Sequence, residues 1–132
     1  MTLRDLRKIS ENMPFNKLLG IRVVRRHSDG VTIDCLMADR LRNGAGVMHG
    51  GVMATLADVA VGVGLTSHFG GLRPITTTDI KINYLRPIAD GKLTARSHVL
   101  RVGKRLCVAR VDMFDTKRQL VAAAVVTYML LD

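Results

Sequence analysis

The sequence has no tryptophan, and aromatic residues make up only 4% of its 132 positions. Its interior must therefore be built from Val, Leu, Ile, Ala and Met, because hydrophobic residues still account for 48% of the chain. Scarce aromatics also remove the side chains on which bases stack. There are two cysteines, Cys35 and Cys107, far apart and each inside an apolar run. That pair makes neither a disulfide framework nor a zinc site. It reads as two reduced, buried thiols in a cytoplasmic protein. No secretory leader is expected, since Met1 to Met13 carries Arg4, Asp5, Arg7, Lys8 and Glu11 and has no apolar core. The longest run poor in charge, Asn43 to Leu72, holds two His, an Asp and many glycines. Its apolar centre, Val52 to Leu65, looks too short to cross a bilayer. A soluble protein with no membrane partner is expected.

Negative charge is also in short supply: 11 acidic residues face 20 basic ones, for a net charge of +9. The excess suits an anionic partner such as a phosphorylated cofactor, a nucleic acid or a membrane surface, and equally a basic face that binds only water. No nucleic-acid recognition motif accompanies it. No phosphate loop or nucleophile elbow occurs, and His27, His68 and His98 have no metal-ligand spacing. Neither a metal nor a bound cofactor is expected.

A chain of 132 residues fits one domain, here residues 1–132. Leu3, Leu6 and Ile9 recur at helical spacing, Pro14 stops that helix, and Phe15, Leu18 and Leu19 form a second apolar cluster ending at Gly20. Residues 1–20 are thus a helical lead-in. Ile21–His27 and Gly30–Met37 read as strands joined by a Ser28-Asp29-Gly30 turn. Ala38–Met48 is a polar loop. Gly51–Ser67 is the one long helix, apolar on nearly every side and so predicted to be buried. Four strands follow, Ile75–Leu85, Lys92–Val102, Arg105–Phe114 and Leu120–Leu131. Their short connections imply antiparallel neighbours. The order predicts an α+β protein in which an antiparallel sheet of about six strands wraps around one central helix. Its exposed edges suit pairing with a second copy.

Between Arg42 and Arg73 the only formally charged residue is Asp58, flanked by Leu56, Ala57, Val59 and Ala60. A lone buried carboxylate is costly unless paired, and Asp is a poor residue in mid-helix. It serves either as a hydrogen-bonding post at a dimer interface or as a general base or nucleophile beside an apolar cleft. His49-Gly50-Gly51 opens the same helix. A helix start offers unpaired N–H groups at a positive dipole end, and glycine lets a carbonyl approach them. That is the design of an oxyanion site, or else of a simple glycine turn. Nine residues separate His49 from Asp58, about 13 Å along a helix. Two antiparallel helices from two chains could aim both at one group, whereas one chain could not easily do so.

Asn43, then His49-Gly50-Gly51, then Asp58 in NGAGVMHGGVMATLADVAVG resembles the hotdog-fold acyl-CoA thioesterases of the phenylacetate-pathway (PaaI-like) branch. The strand TTTDIKINYLRP, from Thr76 to Pro87, looks like the strand that follows the helix in that family. The resemblance implies a hotdog fold and hydrolysis of acyl-CoA thioesters. Asp58 is then the base or nucleophile, the Gly50 N–H polarises the carbonyl, and His49 and Asn43 orient the substrate or water. Thr77, better than its neighbours Thr76 and Thr78, matches a hydroxyl that reaches the site from the other subunit. Coenzyme A enters only as part of the substrate. The expected assembly is a homodimer with shared sites, or a dimer of dimers. Arg86, Arg101, Lys104 and Arg105, at strand ends and around the Gly103 turn, are candidates for the coenzyme's phosphates. Gly51, Met48 and Met53 border the substrate, with Leu56 and Val59 as further walls and Phe69 at the mouth. The Met side chains favour medium-chain or aromatic acyl groups and some promiscuity. The alternatives are a non-catalytic acyl-CoA binding module, an acyl dehydratase or hydratase on the same fold, and, from charge alone, a nucleic-acid binder.

Overall fold

The structure is a computed structural model and describes all 132 residues. Two short helices lead, α1 (Leu3–Ser10) and α2 (Pro14–Leu19). A Thr2/Asp5 capping box starts α1 by satisfying donors on both sides of the cap. The helix ends at Ser10, before Pro14. Pro14 in fact starts α2, at a position where its missing N–H costs nothing. Gly20, with φ of 70°, closes α2 in the left-handed region.

The strands are β1 (Arg22–His27), β2 (Gly30–Leu36), β3 (Ile75–Tyr84), β4 (Lys92–Val102), β5 (Leu106–Phe114) and β6 (Leu120–Leu130). They form one antiparallel sheet in the order β1-β2-β4-β5-β6-β3. A single long helix, α3 (Gly50–Phe69), lies on its concave face, and this is the hotdog arrangement. Alternation is plain in β4 and β5: Leu93, Ala95 and Ser97, with Cys107, Ala109, Val111 and Met113, point inward and are buried. They meet Leu56, Ala57, Ala60, Val61 and Leu65 of α3.

Sequential pairing fails at one place. The segment between β3 and β4 is short, yet β3 pairs with β6 at the far edge, and β4 with β2. The connection crosses the end of the sheet over the core. Ile88 plugs that end at 2% exposure. Met48 N–H donates to Ile88 C=O, and Met37 N–H to Gly91 C=O, each at 2.8 Å, so the crossing backbone keeps its hydrogen bonds.

α3 is also less enclosed than its composition implies. Its 20 residues are long and apolar enough to cross a membrane by length and composition, and half of its most apolar window is buried in the fold. Gly51, Thr55, Asp58, Val59 and Gly62 form a stripe that stays partly or fully open. Beside it β3 presents the free edge of the sheet.

Candidate active site

His49 is the N-cap of α3. Its Nδ1 accepts from Gly51 N–H at 2.8 Å. The His49 carbonyl accepts from Val52 N–H at 2.9 Å and from Met53 N–H at 3.3 Å. Of the first-turn donors, only Gly50 N–H has no hydrogen-bond partner. Gly50 lies in the wall of a cavity of about 350 Å³ lined by Asn43, Met48, Gly50, Met53, Tyr84, Leu85, Arg86 and Pro87. Five residues singled out by sequence therefore converge here: Asn43, Met48, Gly50, Met53 and Arg86. Asn43 is used locally, since its Oδ1 accepts from Ala45 and Val47 N–H and shapes the loop. Gly51 is exposed beside the cavity.

Asp58 lies two turns further along α3, half-buried. Thr77 Oγ1 donates to its Oδ1 at 2.7 Å. A β-bulge makes the choice among the three threonines. Thr77 pairs with Tyr128 and Asp79 with Thr127, leaving Thr78 as the extra residue. Thr78 turns to the Thr127 carbonyl instead, and Thr76 is exposed. Thr77 joins Asp58 of its own chain, because β3 runs beside α3 in the same sheet-and-helix layer.

Two tyrosines went unnoticed in the sequence. Tyr128 OH donates to the Asp58 carbonyl at 3.0 Å, and burial pushes its phenol well up, with the charge of Asp58 adding and the Thr77 hydrogen bond opposing. Tyr84 OH donates to the Gly50 carbonyl at 2.6 Å. The only sequence signal for either is that a scarce aromatic sits in a strand otherwise rich in β-branched or small residues.

The four basic candidates are not gathered in one place. Arg86 belongs to the Gly50 cavity. Arg101, Lys104 and Arg105 surround the β4–β5 turn, at the end of the sheet where β3 begins and β6 finishes. Antiparallel strand direction separates the two groups. Phe69 likewise sits at the C-terminal end of α3, under the Arg73 guanidinium at 4.8 Å, away from the Gly50 cavity. Further along α3, a second cavity of about 210 Å³ is walled by Val59, Gly62, Val63, Ile75 and Tyr128, with Asn16, Thr66 and Arg73 among its polar residues.

The model of the thioesterase superfamily matches residues 45–122, the stretch from the loop before α3 into β6. The chain belongs to the thioesterase superfamily. This thioesterase is 32% identical over 133 aligned residues to the medium/long-chain acyl-CoA thioesterase YigI of Escherichia coli, covering 89% of this chain and 86% of the relative. Among solved structures it is similar to the conserved protein PA5202 of Pseudomonas aeruginosa, with a TM-score of 0.87, 32% identity and 94% and 98% of the two chains covered. It is similar to the Haemophilus influenzae thioesterase HI1161, with a TM-score of 0.85, 26% identity and coverage of 100% and 92%. The E. coli PaaI protein shares the fold, at a TM-score of 0.85, 23% identity and coverage of 99% and 97%. The thioesterase is thus a thioester hydrolase of hotdog architecture.

Proposed function

We propose that this thioesterase hydrolyses acyl-CoA to free acid and coenzyme A, at a site built from the Gly50 end of one α3 and the Asp58 of another. The observation that carries this reading is the lone free donor. The cap takes the Gly51, Val52 and Met53 N–H groups and leaves Gly50 N–H open at a cavity wall. A positive helix end with one free, glycine-flanked donor suits an oxygen that gains negative charge.

In this reading the thioester carbonyl accepts from Gly50 N–H. Asp58, oriented by Thr77, takes a proton from water as that water adds to the carbonyl carbon. The tetrahedral oxyanion is held at Gly50. Its collapse expels the coenzyme A sulphur, to which the Asp58 proton passes. Direct attack by the Asp58 carboxylate, through an anhydride that water then opens, uses the same geometry. Asp58 and Gly50 stand about 12 Å apart along one helix. A homodimer with antiparallel helices brings the two halves together, and it would cover the open stripe of α3 and the free edge of β3. A further pairing into a dimer of dimers is compatible with this arrangement. Arg86 suits one phosphate group, and Arg101, Lys104 and Arg105 of either copy suit others. No cofactor or metal has a step in this scheme, and the reduced, buried thiols fit a cytoplasmic setting.

The acyl group proposed is medium-chain or aromatic. The name of YigI supports the medium-chain part. The 210 Å³ cavity that starts at Val59, the residue after Asp58, and is lined mostly by hydrophobic residues supports an apolar chain of moderate length. Thiol release from acetyl-, hexanoyl-, lauroyl-, phenylacetyl- and benzoyl-CoA tests the reading, with wild type beside Asp58→Asn. The expected result is turnover by wild type, best on the middle of that range, falling at least about a hundredfold in the variant with the dimer intact. Equal turnover by both proteins would remove Asp58 from the mechanism.

A further inference from the structure

The geometry points to Tyr84 as a positioning residue for the Gly50 donor, an assignment that rests on the reading of Gly50 proposed above. Gly50 and Gly51 share one peptide unit, and side chains hold it at both ends. Its oxygen accepts from Tyr84 OH at 2.6 Å, and its N–H donates to His49 Nδ1 at 2.8 Å. One clamp comes from the cap residue beside it. The other comes from the last residue of β3, 34 positions away.

That peptide needs holding. It joins two glycines, the residues with the widest backbone freedom, at the first turn of a helix, where chain ends fray. The free Gly50 N–H belongs to the preceding His49–Gly50 unit, which meets the held unit at the Gly50 Cα, so a shift of the held unit displaces that shared Cα and with it the one free N–H. The sheet is the rigid body against which the helix start can be fixed, and Tyr84 is the strut between them.

The ring has a second part in this. A Cβ built on Gly50 would lie 3.3 Å from Tyr84 Cζ and Oη, so the ring lies close over the glycine and uses its missing side chain. Tyr84 also lines the Gly50 cavity. One residue thus forms a wall along which a carbonyl approaches and anchors the carbonyl side of the glycine whose N–H receives it. Oxyanion donors act over a narrow range of distance and angle, and one such donor is worth roughly a hundred- to a thousandfold in rate. Partial misalignment forfeits part of that factor. Ground-state binding is affected less, because the charge on the carbonyl oxygen develops only in the transition state.

Tyr84→Phe keeps the ring and removes the hydroxyl. Wild type and this variant are compared by kcat and KM for thiol release. They are also compared by the infrared carbonyl frequency of a bound, unreactive acyl-CoA analogue, a ketone in which a methylene group separates sulphur from an isotopically labelled carbonyl. The expected result is a kcat lower by about tenfold with KM within about threefold, together with loss of at least about half of the red shift that wild type imposes on the carbonyl. A wild-type kcat in the variant overturns the assignment. So does a lower kcat with the full red shift retained, which would mean that Tyr84 only supports the fold. A wild-type complex with no red shift would instead refute the Gly50 reading itself, separately from the part given to Tyr84.

Discussion

Replacing Gly62 by alanine sets two effects of opposite sign against each other. Gly62 lies in the interior of α3, one turn beyond Asp58. By helix propensity alone, Gly62→Ala should stabilise by about 1 kcal/mol. A Cβ there would lie 2.9 Å from Tyr128 Oη and 3.5 Å from Cζ. The phenol cannot swing clear cheaply. Tyr128 is 7% exposed and sits between Cys107 and Thr77 in adjacent strands. Pushing it aside breaks its hydrogen bond to the Asp58 carbonyl, which costs about 1–3 kcal/mol for a buried donor left unpaired. Crowding adds about 1–3 kcal/mol. The net effect is destabilisation of about 1–5 kcal/mol, and for a domain of this size each kcal/mol lowers Tm by roughly 3–5 °C. Melting curves of wild type, Gly62→Ala, Tyr128→Phe and the double variant read this directly. Gly62→Ala should melt several degrees early. The double variant should be more stable than the two single losses sum to, because its Cβ no longer meets an oxygen. A Gly62→Ala protein that melts at or above the wild-type temperature would refute the packing argument and leave propensity in control.

Thr77→Ser should retain most activity, whereas Thr77→Ala should lower kcat by roughly ten- to a hundredfold, the equivalent of one hydrogen bond to a charged group; equal rates in thiol release would exclude Thr77 from the site. Away from the site, Asp29 accepts from Arg96 at 2.6 Å and contacts His98 at 2.8 Å, and Arg96 above all holds its carboxyl at about 2, against the opposing effect of partial burial. A folded pKa below the unfolded one means stability present above pH ~4 and lost as pH falls towards ~2; after solvent screening of this part-exposed pair it amounts to about 1 kcal/mol. Asp29→Asn should lower the urea midpoint at neutral pH and flatten its decline over that acid window, and an unchanged decline would count against the ion pair.

Local features were legible in the sequence because they depend on local chemistry. Glycine turns marked Ser28–Gly30 and the end of α3, and period-two alternation marked β4 and β5. The Asn43, His49-Gly50-Gly51 and Asp58 pattern supplied the residues of the proposed site, and the fold keeps Gly50, Gly51 and Asp58 on one helix, with His49 as its cap and Asn43 in the loop before it. Pairing order was not legible. The short link from β3 to β4 looks like a hairpin, but Ile88 is drawn over the core end, and that burial decides the path. Pro14 reads in sequence as the stop of α1, whereas the cap geometry makes it the first residue of α2. Tyr84 and Tyr128 carry no motif. Their hydroxyls matter only because β3 and β6, distant in sequence from α3, bring them to the Gly50 and Asp58 carbonyls. The basic residues looked like one cluster because Arg101, Lys104 and Arg105 adjoin in sequence, while strand direction sends Arg86 to the other end.

The crossing over the core end has a consequence for how the chain acquires its shape. The β1–β2 hairpin and the β4-β5-β6 meander are local and can form early. Joining them pairs Leu36 with Lys92, more than fifty residues apart, and requires α3 and β3 to be laid down in between. Closure over such a span is the slow, entropically costly event of folding. The loop before α3 is tied to that closure: Met48 N–H reaches the Ile88 carbonyl, and Arg42 Nη1 reaches the Ala89 carbonyl at 2.6 Å. The segment that presents Gly50 therefore takes its final form only when the most distant parts of the chain have met, so a competent site marks a completely folded molecule.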